Sequence, residues 1–411
     1  MTDTATPTRY ANGLARRAQI VEAARELFIS DGFRAVSLRD IAARAGLSHP
    51  GLLRHFSSKD EILAEIVAAL EAPNEAEIET VADDAVPLED IVQVARRNQT
   101  TPGYLELFMT LAGEATVAGH PTHGAFRDRY RRLLALSAER IEAGRDAGRL
   151  PGVTDPRGES IRLAAAWDGL QLMSLYTGGA IDPATHLARH AAQLRGDRLP
   201  AVDAVATAPP LPPVPVDAEA AGYRPGRENR RTIVAAATAL FARGGFHATS
   251  LREIGEQAGV PKSTLLHHFS SKDDLLIAVL EARDAEVSSV PLDDGSDPLE
   301  RVGLIIAEAR RSAREFPGLI EFYVVLSCEA ATPSHPAHEY FRHRYELVRA
   351  HFVGLFRQLA AAGHLAPGRD AEHEGVWLVA LWDGLQIQWL YDPDAVDVAA
   401  ELSAYFEQVL A

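Results

Sequence analysis

With 411 residues, 47% of them apolar and 24% charged, the chain has the size for two or more domains and the composition of an ordinary globular protein. No apolar run approaches the roughly 18 residues that cross a bilayer, and the opening MTDTATPTRYANG lacks the apolar core of a signal peptide, so a cytoplasmic protein is expected. A formal charge of −16 argues against a nucleic-acid partner only until it is divided along the chain: residues 9–70 carry +2, residues 222–283 carry +3, and the rest −21.

The first recognisable element is ARRAQIVEAARELFISDG, where Ile20, Ala23, Ala24, Leu27 and Phe28 fall at helical spacing and Gly32 stops the helix. Ser37 then reads as an N-cap, with Asp40 three residues on as a variant capping box. That short helix ends at Gly46. Ser48 opens a second, through Leu52, Leu53 and His55 up to Phe56, and Ser58-Lys59-Asp60-Glu61 caps a third. Helix, tight glycine turn, helix and a supporting helix form a helix-turn-helix pattern. Further on, 126–148 and 158–177 read as two long amphipathic helices separated by Gly-Arg-Leu-Pro-Gly. Residues 196–226 are rich in Pro and Ala without amphipathic period, a semi-extended linker able to span up to about 100 Å.

After the linker the pattern starts again. FISDGFRAVSLRDIAARAGLSHPGLLRHFSSKDEIL at 28–63 aligns without a gap to FARGGFHATSLREIGEQAGVPKSTLLHHFSSKDDLL at 241–276, and WDGLQL at 167 returns as WDGLQI at 382. Ser250, Gly259, Pro261 to Phe269 and Ser271 repeat each element, with Pro261 expected at the first helical position. The long helices recur at 341–363 and 373–391. Between Pro298 and Gly318 lie 20 positions, against 16 between Pro87 and Gly103, which predicts an extra helical turn in copy two.

The turn and following helix resemble the DNA-binding domain of the TetR family, whose segment typically reads A-G-V-S-x-G-T-L-Y-x-H/Y-F before a Ser-Lys-acid cap. The resemblance covers about 50 residues of each copy. It implies an all-α fold of two units, each a three-helix DNA-binding domain (10–70 and 227–283) followed by a helical effector-binding and dimerisation domain (71–195 and 284–411). It implies phosphate contacts from Ser37, Ser250, Lys59 and Lys272, the last two at the start of the fourth helix. Base reading then falls to Arg39, His49 and Arg54 in copy one, and to Arg252, Lys262, Ser263, Thr264 and His267 in copy two, with Ser48 and Gly51 also among the DNA-binding residues. His55 and His268 match the family's His/Tyr position, where packing and phosphate contact are both open. Leu53 and Leu266 stand where the family usually has Tyr. SHPGLLRHF departs further from the pattern than PKSTLLHHF does, so the two heads are expected to prefer different half-sites. Arg16, Arg17, Arg227, Arg230 and Arg231 flank the first helices as either extra phosphate contacts or solvated chain ends.

By the same resemblance, candidates for an effector cavity are Tyr104, Phe108, Met109, Trp167, Gln171 and Tyr176, with Phe322, Tyr323, Trp382, Gln386 and Trp389 in copy two. At helical spacing such residues also serve simply as core. Glu114, His120 and His123, repeated as Glu329, His335 and His338, do not have an established metal-ligand spacing and read as a loop or cap. Cys328, the only cysteine, reads as a buried, inert thiol. No metal or cofactor is expected, and no nucleophile elbow, P-loop, dinucleotide fingerprint or HExxH supports an enzyme. The expected partners are double-stranded operator DNA and a small-molecule effector, with no membrane. The two copies would form an intramolecular pseudo-dimer, and association of two chains stays open. The expected function is a repressor released by its effector at an asymmetric operator. The alternatives are an activator, or a ligand- or protein-binding module whose heads no longer read DNA.

Overall fold

The computed structural model of the chain describes residues 9–33, 35–80, 88–197, 224–287 and 297–411, and among them the fold is all-helical. The β-bridge between Leu365 and Leu410 is isolated. No helix among the described residues is long and apolar enough to cross a membrane. Of the linker read from the sequence, 198–223 lie outside the described residues.

The first unit starts with α1 (Arg9–Asp31), α2 (Leu38–Arg44), α3 (His49–Leu52) and α4 (Lys59–Thr80). Gly32, at φ +84°, ends α1 in the left-handed region that favours glycine. Ser37 and Asp40 form a reciprocal capping box: the Ser37 hydroxyl accepts from the Asp40 amide at 3.3 Å, and the Ser37 amide donates to the Asp40 carboxylate at 2.9 Å. Ser48 accepts from the Gly51 amide at 3.2 Å and starts α3, while Ser58 accepts from the Glu61 amide at 3.1 Å and starts α4. Ile20, Phe28, Ile41, Leu52, Phe56 and Ile62 fill the head's core. The second head, α10 (Arg224–Ala248), α11 (Leu251–Ala258), α12 (Lys262–His268) and α13 (Lys272–Val287), buries Ile233, Phe241, Ile254, Leu265, Phe269 and Leu275 at the matching positions. Ser250 and Glu253 repeat the capping box. Pro261 sits one position earlier than expected, at the N-cap of α12 with Lys262 as the first helical residue.

The bodies are α5 (Glu89–Thr100), α6 (Tyr104–Glu114), α7 (His123–Asp146), α8 (Pro156–Tyr176) and α9 (Pro183–Leu194), then α14 (Pro298–Glu315), α15 (Pro317–Glu329), α16 (His338–Ala361), α17 (Ala371–Tyr391) and α18 (Val398–Val409). The extra turn of copy two belongs to α14, with 18 residues against 12 in α5.

The bodies pack on each other through α8 and α17. A Cβ built on Gly169 would overlap the Ala380 backbone, and one on Gly384 would overlap that of Ala165, so the helices cross backbone to backbone where each supplies its glycine. Around this crossing the contacts come in related pairs. Tyr176 donates to the Ser327 carbonyl at 2.5 Å and Tyr391 to that of Ala112 at 2.6 Å, each reaching from one body into the other. Cys328 is fully buried against Gly113, and burial raises its thiol, as suits an inert packing residue.

Other contacts break this symmetry. Arg162 holds Glu159 at 3.0 Å and, across the bodies, Glu401 at 2.9 Å. At the matching position stands Trp377, whose ring stacks on His190 with centroids 4.0 Å apart. A body paired with its own copy would set Arg162 opposite His186, or Trp377 opposite Glu401, and so lose the Arg162–Glu401 pair.

Candidate nucleic-acid interface and body cavity

The two turns present unlike surfaces. In head one the described helix after the turn is four residues, HPGL, with Pro50 and Gly51 inside it; in head two it is seven, KSTLLHH. Proline is tolerated in a first turn and glycine weakens a helix, so sequence alone accounts for the shorter element. Arg39, Ser48 and Arg54 are exposed and His49, Gly51 and His55 half-buried; in head two Arg252, Lys262, Ser263 and His267 are exposed and Thr264 and His268 half-buried. Arg252 pairs with Glu256 at 2.8 Å within its own helix. Burial, then the charges of His267 and Arg230, lower the affinity of His268 for a proton. Leu53 and Leu266 are large apolar side chains left 45% and 41% exposed beside these residues.

Two groups of expected phosphate contacts are placed differently. The Lys59 ammonium lies 4.4 Å from the centre of the Phe33 ring and donates to the carbonyls of Phe33 at 2.6 Å and Val36 at 2.8 Å. Lys272 lies 4.3 Å from the Phe246 ring, and burial lowers its affinity for a proton. Lys59 therefore braces the loop between α1 and α2, and Lys272 packs on a ring near the end of α10. Arg17, one of the flanking arginines, lies over Phe56 at 3.9 Å, donates to the His55 carbonyl at 2.5 Å and pairs with Glu61 and Glu65. Arg230 repeats the aromatic contact over Phe269 at 5.1 Å. Arg16 and Arg231 stay exposed, and the side chain of Arg227 lies outside the described residues.

Behind head one, body one holds a cavity of about 450 Å³. Its apolar walls are Leu88, Ile91, Val94, Phe108, Leu133, Leu134, Ile141, Leu150 and Leu163, and its polar lining includes Asn74, Asn98, Ser137, Trp167 and Gln171. Three acids, Glu71, Asp90 and Asp168, are matched by Arg129, Arg140 and Arg149. Glu71 pairs with Arg129 and accepts from Tyr104, and Asp90 accepts from Arg140 at 3.1 Å. Asp168 accepts from Tyr130 at 2.8 Å, yet burial lifts its carboxyl to about 6, against the pull of Tyr130 and Arg129. Glu71 and Asn74 belong to α4, so the helix leaving the head also forms part of the cavity wall.

Of the cavity residues read from the sequence, Tyr104, Phe108, Trp167 and Gln171 line this space. Met109 is fully buried outside its lining, and Tyr176 belongs to the contact between bodies. In copy two, Phe322 packs on Phe241 of the head with centroids 5.6 Å apart, and Tyr323 lies under Arg344 at 4.8 Å. Trp382 meets Phe352, Gln386 is buried and Trp389 half-buried. Sequence reasoning missed Glu71, Arg129, Asp168 and Ser137. For Arg129 and Asp168 the signal was present, since F-R-x-R-Y at 126 and W-D-G at 167 both recur in copy two.

His123 and His338 each approach a carbonyl of the preceding loop, Ala115 and Ala330, at 2.9 Å. His120, Glu114 and Asp60 gather ligand atoms within 4.8 Å of one another where head meets body. Two carboxylates and an imidazole suit a divalent cation of the zinc or manganese type, but three donors are one fewer than a closed structural site uses.

Comparison with known proteins agrees with the duplicated head. The family described as "Bacterial regulatory proteins, tetR family" matches residues 20–66 and again 233–279, and the family "BetI-type transcriptional repressor, C-terminal" matches 321–411. The transcriptional repressor KstR of Rhodococcus jostii is 35% identical over 99 residues, 23% of this chain and 45% of that protein, so the chain spans less than half of its length. KstR2 of Mycobacterium tuberculosis is 28% identical over 165 residues, 37% of this chain and 80% of the relative. The solved structure of regulatory protein TetR from Rhodobacter sphaeroides is 21% identical, with a TM-score of 0.38 over 44% of this chain and 99% of that one.

Proposed function

The chain belongs to the tetR family of bacterial regulatory proteins, as two family units in one polypeptide, and from that premise we propose that it is a sequence-specific DNA-binding repressor released by a small molecule. The observation that carries this reading is the repeated, capped helix-turn-helix with exposed Arg39 and Arg54 on one head and Arg252 and Lys262 on the other. A short helix seated in the major groove brings such side chains to base edges, and the serine caps at the neighbouring helix starts point amide groups toward phosphate. The curated relatives named above are transcriptional repressors, which favours repression over activation. In this reading 10–70 and 227–283 are the DNA-binding domains, 71–195 and 284–411 the bodies, and 196–226 the linker. The α8–α17 crossing makes one chain a pseudo-dimer, so each operator takes one chain with two unlike heads.

Because SHPGLLRHF and PKSTLLHHF differ at the base-reading positions, the operator has unlike half-sites. Exposed Leu53 and Leu266 offer apolar contact to a thymine methyl in both halves. Release follows from α4: a molecule in the body-one cavity touches Glu71 and Asn74, and it lowers DNA affinity to the extent that it prefers an α4 position that DNA does not. Footprinting of the DNA upstream of the chain's own gene tests the reading. Two protected, non-identical half-sites that fade with added salt are expected; absence of sequence-selective protection would refute it.

A further inference from the structure

We infer that only the first body receives the effector, that the second is a filled scaffold, and that one neutral, largely apolar molecule per chain governs both heads. The inference rests on the effector reading above and specifies its stoichiometry and ligand class. It comes from comparing α7 with α16, which align without a gap. Where α7 turns Ser137, Arg140, Ile141 and Ala143 to the cavity or its mouth, α16 has Phe352, Leu355, Phe356 and Gln358.

These replacements occupy space. Leu355 and Phe356 are fully buried and Phe352 nearly so. The Phe352 ring lies 6.3 Å from Trp382, the counterpart of the cavity-lining Trp167, and Phe356 stacks on Phe406 at 6.2 Å. Gln358 accepts from the buried Arg301. A serine-to-phenylalanine difference on a cavity wall is worth several methylenes of volume, enough to exclude a ligand that the serine admits.

The ligand class follows from what body one leaves unmet. The oxygens of Gln171 and Asn74, both 3% exposed residues, and the indole nitrogen of Trp167 have no hydrogen-bond partner. Buried polar atoms of this kind are costly unless a ligand satisfies them. They ask for a donor at Gln171 or Asn74 and an acceptor at Trp167. As acids and arginines balance around the cavity, with Glu71 and Asp90 already held by arginines, the molecule brings no net charge.

N-phenyl-1-naphthylamine, a neutral three-ring amine with one N–H and fluorescence that rises in apolar surroundings, serves as the probe. Titrated against the full chain without DNA, it is expected to bind once per chain. Ser137→Phe, which imports the residue of body two, is expected to weaken binding at least about tenfold while the far-ultraviolet circular dichroism stays native. Phe352→Ser is expected to keep the native site. Should Ser137→Phe fail to fold, Ile141→Phe takes its place. Two native sites, no native binding, undiminished binding after folded cavity filling, or loss of binding in Phe352→Ser each overturn the inference. Because no DNA is present, these outcomes leave the operator reading standing, and a blank footprint leaves the one-site result standing.

Discussion

Gly169→Ala puts the contact between the bodies to a direct test. The new methyl would lie 2.5 Å from the Ala380 carbonyl carbon and 2.6 Å from its Cα, against the 3.5–4.0 Å of favourable carbon contacts, so α8 and α17 must part by about 1 Å. No side-chain rotation relieves this, because the obstacle is backbone. A gap of that size forfeits a quarter to a half of each contact's attraction, and overpacking of this kind costs typically about 1–3 kcal/mol, here at the upper end. The gain from replacing a helical glycine, about 0.5–1 kcal/mol, offsets part, leaving a net loss of about 2 kcal/mol. Gly303→Ala is the control: this glycine lies inside α14 with nothing within 4 Å of the added methyl, and should stabilise the chain by about 0.5–1 kcal/mol. Urea unfolding followed by circular dichroism reads both. If Gly169→Ala matched Gly303→Ala in sign, the close crossing would be wrong.

Removing Arg162, for example by Arg162→Met, strands Glu401 in the interface and leaves Glu159 to His190 alone at 2.6 Å; it is expected to cost about 3–5 kcal/mol in the same urea assay, with Glu401→Gln recovering part of the loss in the double variant. Between the bodies, His186 and His373 face each other with Nδ1 atoms 3.1 Å apart, and burial holds His186 down to about 4. Its folded value is below the unfolded one of about 6.5, so its contribution is present above pH 6.5 and is lost as pH falls towards 4; in His186→Asn the slope of stability against pH over that window should drop by up to about 1.4 kcal/mol per unit. Tyr391→Phe leaves the buried Ala112 carbonyl without its donor and should destabilise by about 1–3 kcal/mol, measured by thermal melting. Lys262→Ala should weaken only one half of the footprint, by about 1–3 kcal/mol if the lysine reads a base, whereas a phosphate contact would show as a salt slope lower by about 1.

Much of this molecule is local and therefore legible in the chain itself. The helices, their serine caps and Gly32 depend on residues three or four positions apart, and the duplication shows in two heads that bury the same six positions. The polarity of the segments after each turn was equally plain, because exposed residues answer to no packing partner. What Lys59 and Arg17 do was not legible. A cation reads as a phosphate ligand until the fold brings Phe33 and Phe56 beneath it and carbonyls within reach, so the choice between solvent and aromatic face belongs to tertiary structure. Tyr176 and Trp167, nine residues apart on one helix, had the same sequence signature; packing sends one across to the other body and leaves the other facing a cavity. That cavity is itself decided by what does not meet, the short Ser137 of α7 beside walls contributed by α4, α5 and α8, which no single segment encodes. The chain alone determined two unlike helix-turn-helix heads, because their differences are written in adjacent residues. Only the assembled structure decided that the bodies behind them are unequal too, because the volume of a cavity is set by side chains from distant helices closing, or failing to close, on the same space.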